Sequence, residues 1–209
     1  SVVGIGAEIA KLIASKGCNV LINYVKNLEG AEETASACRA HGVDSFAVQG
    51  DVSKDIDCRE MVKAAIERWG RLDVLVNNAA VTKTVPGADL EGLTAEDFLE
   101  IYSVNVVGNF QMTRAAAPHL KETGDGAVVN ISSLGALIGD GSSIAYAASK
   151  GALNNLTMAL ARQLAPEVRV NAICPGGMLG NWTKKIMDEE AYERRVKRAN
   201  TEFLLRKPV

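Results

Sequence analysis

Short apolar runs alternate with longer stretches of helical period along the whole chain. The runs at Asn19–Tyr24 (NVLINY), Ser45–Gln49 (SFAVQ), Val74–Asn77 (VLVN), Ala127–Ile131 (AVVNI) and Val168–Ile173 (VRVNAI) are rich in Val and Ile. They do not alternate cleanly with polar residues, which suits strands covered on both faces, as in a parallel sheet. Between them, apolar residues recur at helical spacing over about Gly6–Ser15, Leu28–Ala40, Asp55–Trp69, Ala95–Lys121, Ile144–Leu164 and Thr183–Leu205. Asn27 is placed to cap the second of these helices, and Gly42 to follow its end. Thr94 with Asp97 makes a capping-box-like start for the fourth. This alternation predicts one α/β domain built on a doubly wound parallel sheet. In such sheets ligands bind beyond the carboxyl ends of the strands.

Composition narrows the function classes. A chain of 209 residues, 47% hydrophobic and 23% charged, has the make-up of an ordinary globular domain. Its net charge of −2 gives no footprint for nucleic acid or an anionic membrane. The basic run Arg194–Arg198 (RRVKR) follows Asp188, Glu189, Glu190 and Glu193 and reads as a solvated helix face. Cys18, Cys38, Cys58 and Cys174 form no CxxC pair, and only His41 and His119 could help them hold a metal. Neither a zinc site nor a disulfide framework is expected. Free thiols fit a reducing compartment. With no apolar run of transmembrane length and no visible signal peptide, we expect a cytoplasmic protein.

The strand ends carry the chemistry. GDVS follows Gln49, NNAA closes the third run, SSLGAL follows Ile131 and CPGG follows Ile173. Small and polar residues of this kind let a backbone approach a ligand and offer it hydrogen bonds. Four such segments at one edge favour a long ligand lying across it. YAASK puts Tyr146 and Lys150 at i and i+4, on one helix face. Ser133 sits at a strand end thirteen positions before Tyr146, and the glycine-containing loop LGALIGDGSS is able to bring the two together. The three suit proton exchange with an alcohol or carbonyl. A free tyrosine, with a pKa of about 10, is a poor base at neutral pH. An ammonium about 4 Å away, at an effective dielectric near 20, favours phenolate by roughly 4 kcal/mol, some three pKa units before opposing desolvation.

GIG, DVS, LDVLVNNAA, SVNVVGNF, VVNISS, YAASKGAL and RVNAICPGG occur in an order and spacing that resembles the short-chain dehydrogenase/reductase family, over residues 1 to about 180. Within it, the 3-oxoacyl-ACP reductase and glucose dehydrogenase types are the nearest in pattern. The resemblance implies a Rossmann-like fold in three α/β/α layers and a catalytic tetrad of Asn105, Ser133, Tyr146 and Lys150. Tyr146 would be the general acid/base, Ser133 would orient the substrate oxygen, and Lys150 would lower the tyrosine pKa and bind the nicotinamide ribose. Asn105 would hold a water linking the lysine to solvent.

The resemblance also implies a nicotinamide cofactor across the strand ends. Gly4, Ile5 and Gly6 would lie under its pyrophosphate, Asp51 and Val52 would meet the adenine, and Asn78, Ala79 and Ala80 would line the ribose. Pro175, Gly176 and Gly177 would face the nicotinamide. The strand ending NYVKN has nothing acidic before Glu29. A carboxylate there would hold the 2′-hydroxyl of NAD and repel the 2′-phosphate of NADP. Asn23, Tyr24 and Lys26 could instead contact that phosphate, so NADP(H) is expected over NAD(H).

The chain departs from the family pattern in four places. The first strand and first glycine of the fingerprint, and the closing strand, are not in the sequence, so a longer natural protein is expected. Ala80 stands where glycine is usual. Gly180 stands where a threonine often contacts the carboxamide, with Thr183 as its substitute. Residues 178 to 205 would form a substrate lid, with Met178, Trp182 and Met187 lining an apolar pocket. Val81–Asp89 and Leu134–Ser142 would form its other walls, for a neutral carbonyl or alcohol. The long helices Ala95–Lys121 and Ile144–Leu164 resemble the family's dimer-forming pair, which implies a homotetramer, or else a homodimer. The alternative reading is a nucleotide-binding regulatory or scaffold protein of the same fold without turnover.

Overall fold

The computed structural model describes residues 4–85, 89–177 and 188–201. The Val and Ile runs form five parallel strands: β1 (Val20–Tyr24), β2 (Ser45–Gln49), β3 (Val74–Asn77), β4 (Gly126–Ile131) and β5 (Val168–Ile173). Helices α1 (Ile5–Ala14), α2 (Leu28–Arg39) and α3 (Asp55–Trp69) connect or flank the first three. Then come α4 (Ala95–Tyr102), a π-helical segment at Ser103–Gly108, and α5 (Asn109–Glu122). The short α6 (Gly135–Ile138) and the long α7 (Ile144–Leu164) lie between β4 and β5, and α8 (Glu189–Thr201) follows. None of the described helices is long and apolar enough to cross a membrane.

Local signals set most boundaries. Asn27 Oδ1 accepts from Gly30 N at 3.1 Å and starts α2. Thr94 and Asp97 form the reciprocal capping box of α4, at 3.3 and 2.8 Å. Two features differ from the sequence expectation. The helix expected to run unbroken over Ala95–Lys121 widens to π geometry in its middle. The loop expected after Ser133 contains the single turn α6, closed by Gly139, whose φ of 71° is left-handed and whose N–H bonds back to Gly135 O.

The strands order as β1-β2 and β3-β4-β5. β1 runs in register with β2 from Val20 opposite Ser45 to Tyr24 opposite Gln49. β4 pairs with β3 from Ala127 opposite Val74, and with β5 from Gly126 opposite Val168 to Ile131 opposite Ile173. Among the described residues the strands therefore form one two-stranded and one three-stranded hydrogen-bonded sheet.

Helices cover both faces, and alternate residues of β2 show it. Ala47 packs into an alanine-rich core with Ala10, Ala14, Ile22, Ala31, Ala35 and Cys38, under α1 and α2. Its neighbour Val48 packs the other way, against Val52, Cys58 and Met61 of the α3 side. The main core lies on β3–β5 and holds Val62, Leu75, Leu120, Val128, Val168 and Val170. Helix α3 serves two of these clusters, with Cys58 and Met61 in one and Val62 in the other. The Arg194 side chain of α8 pairs with Glu190, as expected of a solvated helix face.

Candidate active site

The carboxyl ends of β4 and β5 meet the first turns of α7. Ser143, in extended backbone, caps α7 by accepting from Tyr146 N at 3.2 Å. This fixes the start of the helix, so that Tyr146 and Lys150 follow one turn apart on the same face. Lys150 is 1% exposed, and its Nζ donates to Ile131 O, at the end of β4, at 2.8 Å. The ammonium lies 5.7 Å from the centroid of the Tyr146 ring. Burial pushes the Lys150 pKa down to about 8, with a smaller opposing contribution from Cys174. The Ser133 hydroxyl accepts from Gly135 N at 3.1 Å and also interacts with the Tyr146 phenol. Ser132 faces elsewhere: its hydroxyl donates to Lys150 O at 3.3 Å.

The direction of the tyrosine shift corrects the sequence expectation. Burial raises the Tyr146 pKa, and Ser133 only partly opposes this. The lysine ammonium does not reverse it here, because its hydrogen bond goes to the Ile131 carbonyl and the phenol has lost water.

Asn105 sits in the π segment and is fully buried. Its Oδ1 accepts from Val81 N at 2.9 Å, and its Nδ2 donates to Val81 O and to Ser149 Oγ, each at 3.0 Å. Ser149 in turn donates to Tyr146 O at 2.7 Å. One carboxamide therefore ties the exit of β3 to the first turn of α7. This commits the side chain to protein groups, so a water on Asn105 would have to use its main-chain carbonyl. Behind it, Asn77 Nδ2 donates to Asn130 Oδ1 at 2.9 Å and Asn130 Nδ2 to Thr157 Oγ1 at 2.9 Å, all buried.

The residues expected at a cofactor line the same strand ends. Gly4 precedes α1 with φ 69°, a conformation that disfavours any side chain, and no side chain caps the helix. The N-terminus of this ten-residue helix suits a pyrophosphate. Ile5 is half-buried and Gly6 buried behind it. Asp51 is held by Ser53, whose N and Oγ donate to its Oδ1 at 3.0 and 2.7 Å and lower its pKa. Val52 O accepts from Gln111 Nε2 at 2.9 Å. A Cβ on Gly108 would come within 2.7 Å of the Val52 side chain, so the π segment packs closely on it.

Asn78, Ala79 and Ala80 are half-buried beyond β3. The left-handed positions among the described residues are glycines, and Ala80 is not one of them. Pro175 O accepts from Leu134 N at 2.8 Å, which continues the β4–β5 pairing into the loop bearing Gly176 and Gly177. Asn23 Nδ2 donates to Gly50 O at 2.8 Å, Tyr24 is half-buried, and Lys26 is exposed. The donor set therefore fits a dinucleotide: the N-terminus of α1 at one end, small residues in the middle, and Lys150 with the Ser133 and Tyr146 hydroxyls at the other.

Met178, Gly180, Trp182, Thr183 and Met187, with half of the expected lid, lie outside the described residues, as do residues 86–88 of the expected wall. The rest of that wall is tied across, since Val85 N donates to Ser142 O at 2.8 Å and Thr82 Oγ1 lies 2.5 Å from Ser142 Oγ. Sequence reasoning did not single out Ser143, Ser149, Asn109 or Gln111. The i, i+4 spacing of Asn105 and Asn109 on an otherwise apolar helix face is the signal that could have found one of them.

A family model for short chain dehydrogenases matches residues 2–191. The chain is 44% identical over 181 residues to ketoacyl reductase 2 assigned to a granaticin polyketide synthase of Streptomyces violaceoruber, covering 87% of this chain and 71% of that one. It is 34% identical over 187 residues to the 3-oxoacyl-acyl-carrier-protein reductase FabG of Staphylococcus aureus, covering 89% and 75%. A protein of Burkholderia xenovorans described as a short-chain dehydrogenase/reductase superposes with a TM-score of 0.90 at 39% identity, covering 100% of this chain and 82% of that one.

Proposed function

The chain belongs to the short-chain dehydrogenase/reductase family, and from that premise we propose that it moves a hydride between nicotinamide and a carbonyl/secondary alcohol pair, with Tyr146 as general acid/base. Members of this family are NAD(P)(H)-dependent oxidoreductases, and this chain is an enzyme of that kind acting on a CH–OH or carbonyl group. The observation that carries the mechanism is Lys150, buried to 1% exposure, one helical turn from a phenol that interacts with Ser133. A lysine is rarely buried so completely without a task.

In carbonyl reduction Tyr146 gives its proton to the substrate oxygen, and in alcohol oxidation it takes one back. The raised pKa keeps the phenol protonated at neutral pH, which suits the reductive direction. Ser133 donates to the same oxygen and orients it. Lys150 supplies positive charge near the phenol and would hold the nicotinamide ribose. Asn105 keeps the ribose-lining segment and α7 at a fixed spacing. The bound nicotinamide supplies or accepts the hydride.

The absence of an acidic side chain from the end of β1 to Lys26 supports NADP(H) over NAD(H). The exposed Leu137 and Ile138 of α6, close to Ser133, suit a neutral substrate with an apolar arm. The reductase names of the relatives point the same way. A homotetramer, or else a homodimer, is supported by the open apolar groove between α5 and α7, lined by Phe110, Ala117, Pro118, Leu160 and Leu164.

Turnover followed at 340 nm across a panel of ketones and alcohols tests the assignment. Tyr146→Phe should lower kcat by roughly 10²- to 10⁴-fold, the range for a positioned acid/base, while calorimetric cofactor affinity stays near that of the unaltered enzyme. A variant that turns over normally would remove Tyr146 from the mechanism. In the same calorimetry, tighter binding of NAD(H) than NADP(H) would overturn the cofactor preference.

A further inference from the structure

Asn109 is the one described residue with a buried side-chain oxygen that has no hydrogen-bond partner, its Oδ1. The residue is 4% exposed and lies where the π segment passes into α5. An orphaned buried acceptor costs about 1–3 kcal/mol, so its presence calls for an explanation. A leucine or valine would fill similar space without that cost.

The other end of the carboxamide supplies the explanation. The main-chain N–H of Asn109 bonds to Val106 O, three residues back. In a regular α-helix it would bond to Asn105 O, four residues back. The side chain makes that connection instead, with Nδ2 donating to Asn105 O at 2.9 Å. The amide orientation follows from this bond, because the reverse orientation would set two oxygens against each other. Asn109 thus replaces a helical hydrogen bond in the turn where the helix is widened.

The turn so held is the one that presents Asn105. Its carboxamide grips both main-chain groups of Val81 and the hydroxyl of Ser149. Val81 follows the Asn78–Ala80 segment, and Ser149 is bonded to Tyr146 O and adjoins Lys150. We propose that Asn109 is a positioning residue: by bonding the Asn105 carbonyl it sets the spacing between the ribose-lining segment and the Tyr146–Lys150 pair. This rests on the catalytic reading above. Asn109 touches none of the reacting groups and acts through Asn105.

The protein itself suggests the test. Thr113 and Thr157 each donate through Oγ1 to the carbonyl four residues back, at 2.8 Å. Asn109→Thr would bond Asn105 O in the same way and carry no orphaned oxygen. Asn109→Val has the same shape without the donor. In the full chain, we expect Asn109→Val to lower kcat about tenfold, the scale of one lost hydrogen bond, and to displace the pH profile of kcat. Asn109→Thr should restore kcat to within about threefold, on the same scale. Neither should lose thermal stability in proportion.

Valine at the unaltered rate and pH profile would overturn the inference. So would equal impairment of threonine and valine, since volume and not the donor would then matter. If the valine variant does not fold, Asn109→Ala, which adds no branched carbon, takes its place in the comparison with threonine. Tyr146→Phe, run in parallel, separates the two levels. If it is fully active, the catalytic reading fails. If it is inactive while valine and threonine do not differ, only the role of Asn109 fails.

Discussion

The two halves of the sheet are stabilised in different ways. Around β1 and β2 the core is made of small residues, with Ala14, Ala31, Ala35 and Cys38 fully buried. Its buried hydroxyls, Thr34 and Ser45, bond to main-chain carbonyls, of Gly30 and Val20, and its charged contacts lie at the surface, where Asp44 accepts from Arg68 Nε and Nη2 and from Trp69 Nε1. Around β3–β5 the core is larger and branched, and polar groups run through its interior from Asn77 and Asn130 to Thr157. Small residues let α1 and α2 approach β1 closely. Buried carboxamides instead fix directions, because each unmade bond in a low-dielectric interior is costly. The proposed chemistry sits in the half built the second way.

Substitutions that reverse the packing of each half would break this contrast. Leu120, fully buried in the larger core, should cost about 2–5 kcal/mol when changed to Ala, through lost burial and a cavity. Ala35→Leu in the small core should cost about 1–3 kcal/mol by overpacking. Denaturant unfolding measures both, and an Ala35→Leu protein as stable as the parent would mean that the small core has slack.

The halves should also differ in pH response. With Lys150 near pKa 8 in the ligand-free enzyme, kcat/KM for carbonyl reduction should be flat below that pH and fall above it, as the lysine loses its charge. Tyr146, raised in pKa, stays protonated through the same window. Lys150→Arg keeps the charge and should shift or abolish the break. A break unchanged in the arginine variant would belong to another group. For stability the sign is opposite: between pH about 8 and the unfolded lysine value of about 10.4, the unfolded chain binds more protons, so this group favours folding as pH rises.

The smallest effect should come from Asp44, whose pKa Arg68 and Trp69 lower to about 2. Its contribution is present above the ordinary carboxylate range and is lost as pH falls toward 2. Asp44→Asn should therefore flatten the acid limb of the unfolding midpoint and leave turnover at neutral pH unchanged. An acid limb that is unaffected would show the surface cluster to be energetically idle.

Much of this architecture is legible in the chain. The bounds of β2, β3, β5, α3 and α7 match the apolar runs residue for residue, because those elements are short, capped or strongly periodic. The π segment is not legible, since six residues are too few to distinguish its period from that of an α-helix. Nor is α6, whose glycines read as a loop. At the site, spacing leads to Ser133, Tyr146 and Lys150, and the structure brings them together. What spacing does not contain is the partner of each buried group. Nothing in the sequence says that Lys150 bonds Ile131 O, or that Asn105 spends its carboxamide on Val81. These choices depend on which lone pairs burial leaves open, a property of the packed interior.

Helix α3 feeds its side chains into two clusters, one shared with β2 and one shared with β3–β5. Unfolding of either half strips apolar contacts from the same fifteen-residue helix and so weakens the other half. The shared helix thereby couples the two hydrogen-bonded sheets through side-chain packing. Trp69, at the end of α3 and edge-on to Phe46 of β2 at 5.2 Å, is placed where fluorescence reports on that shared transition.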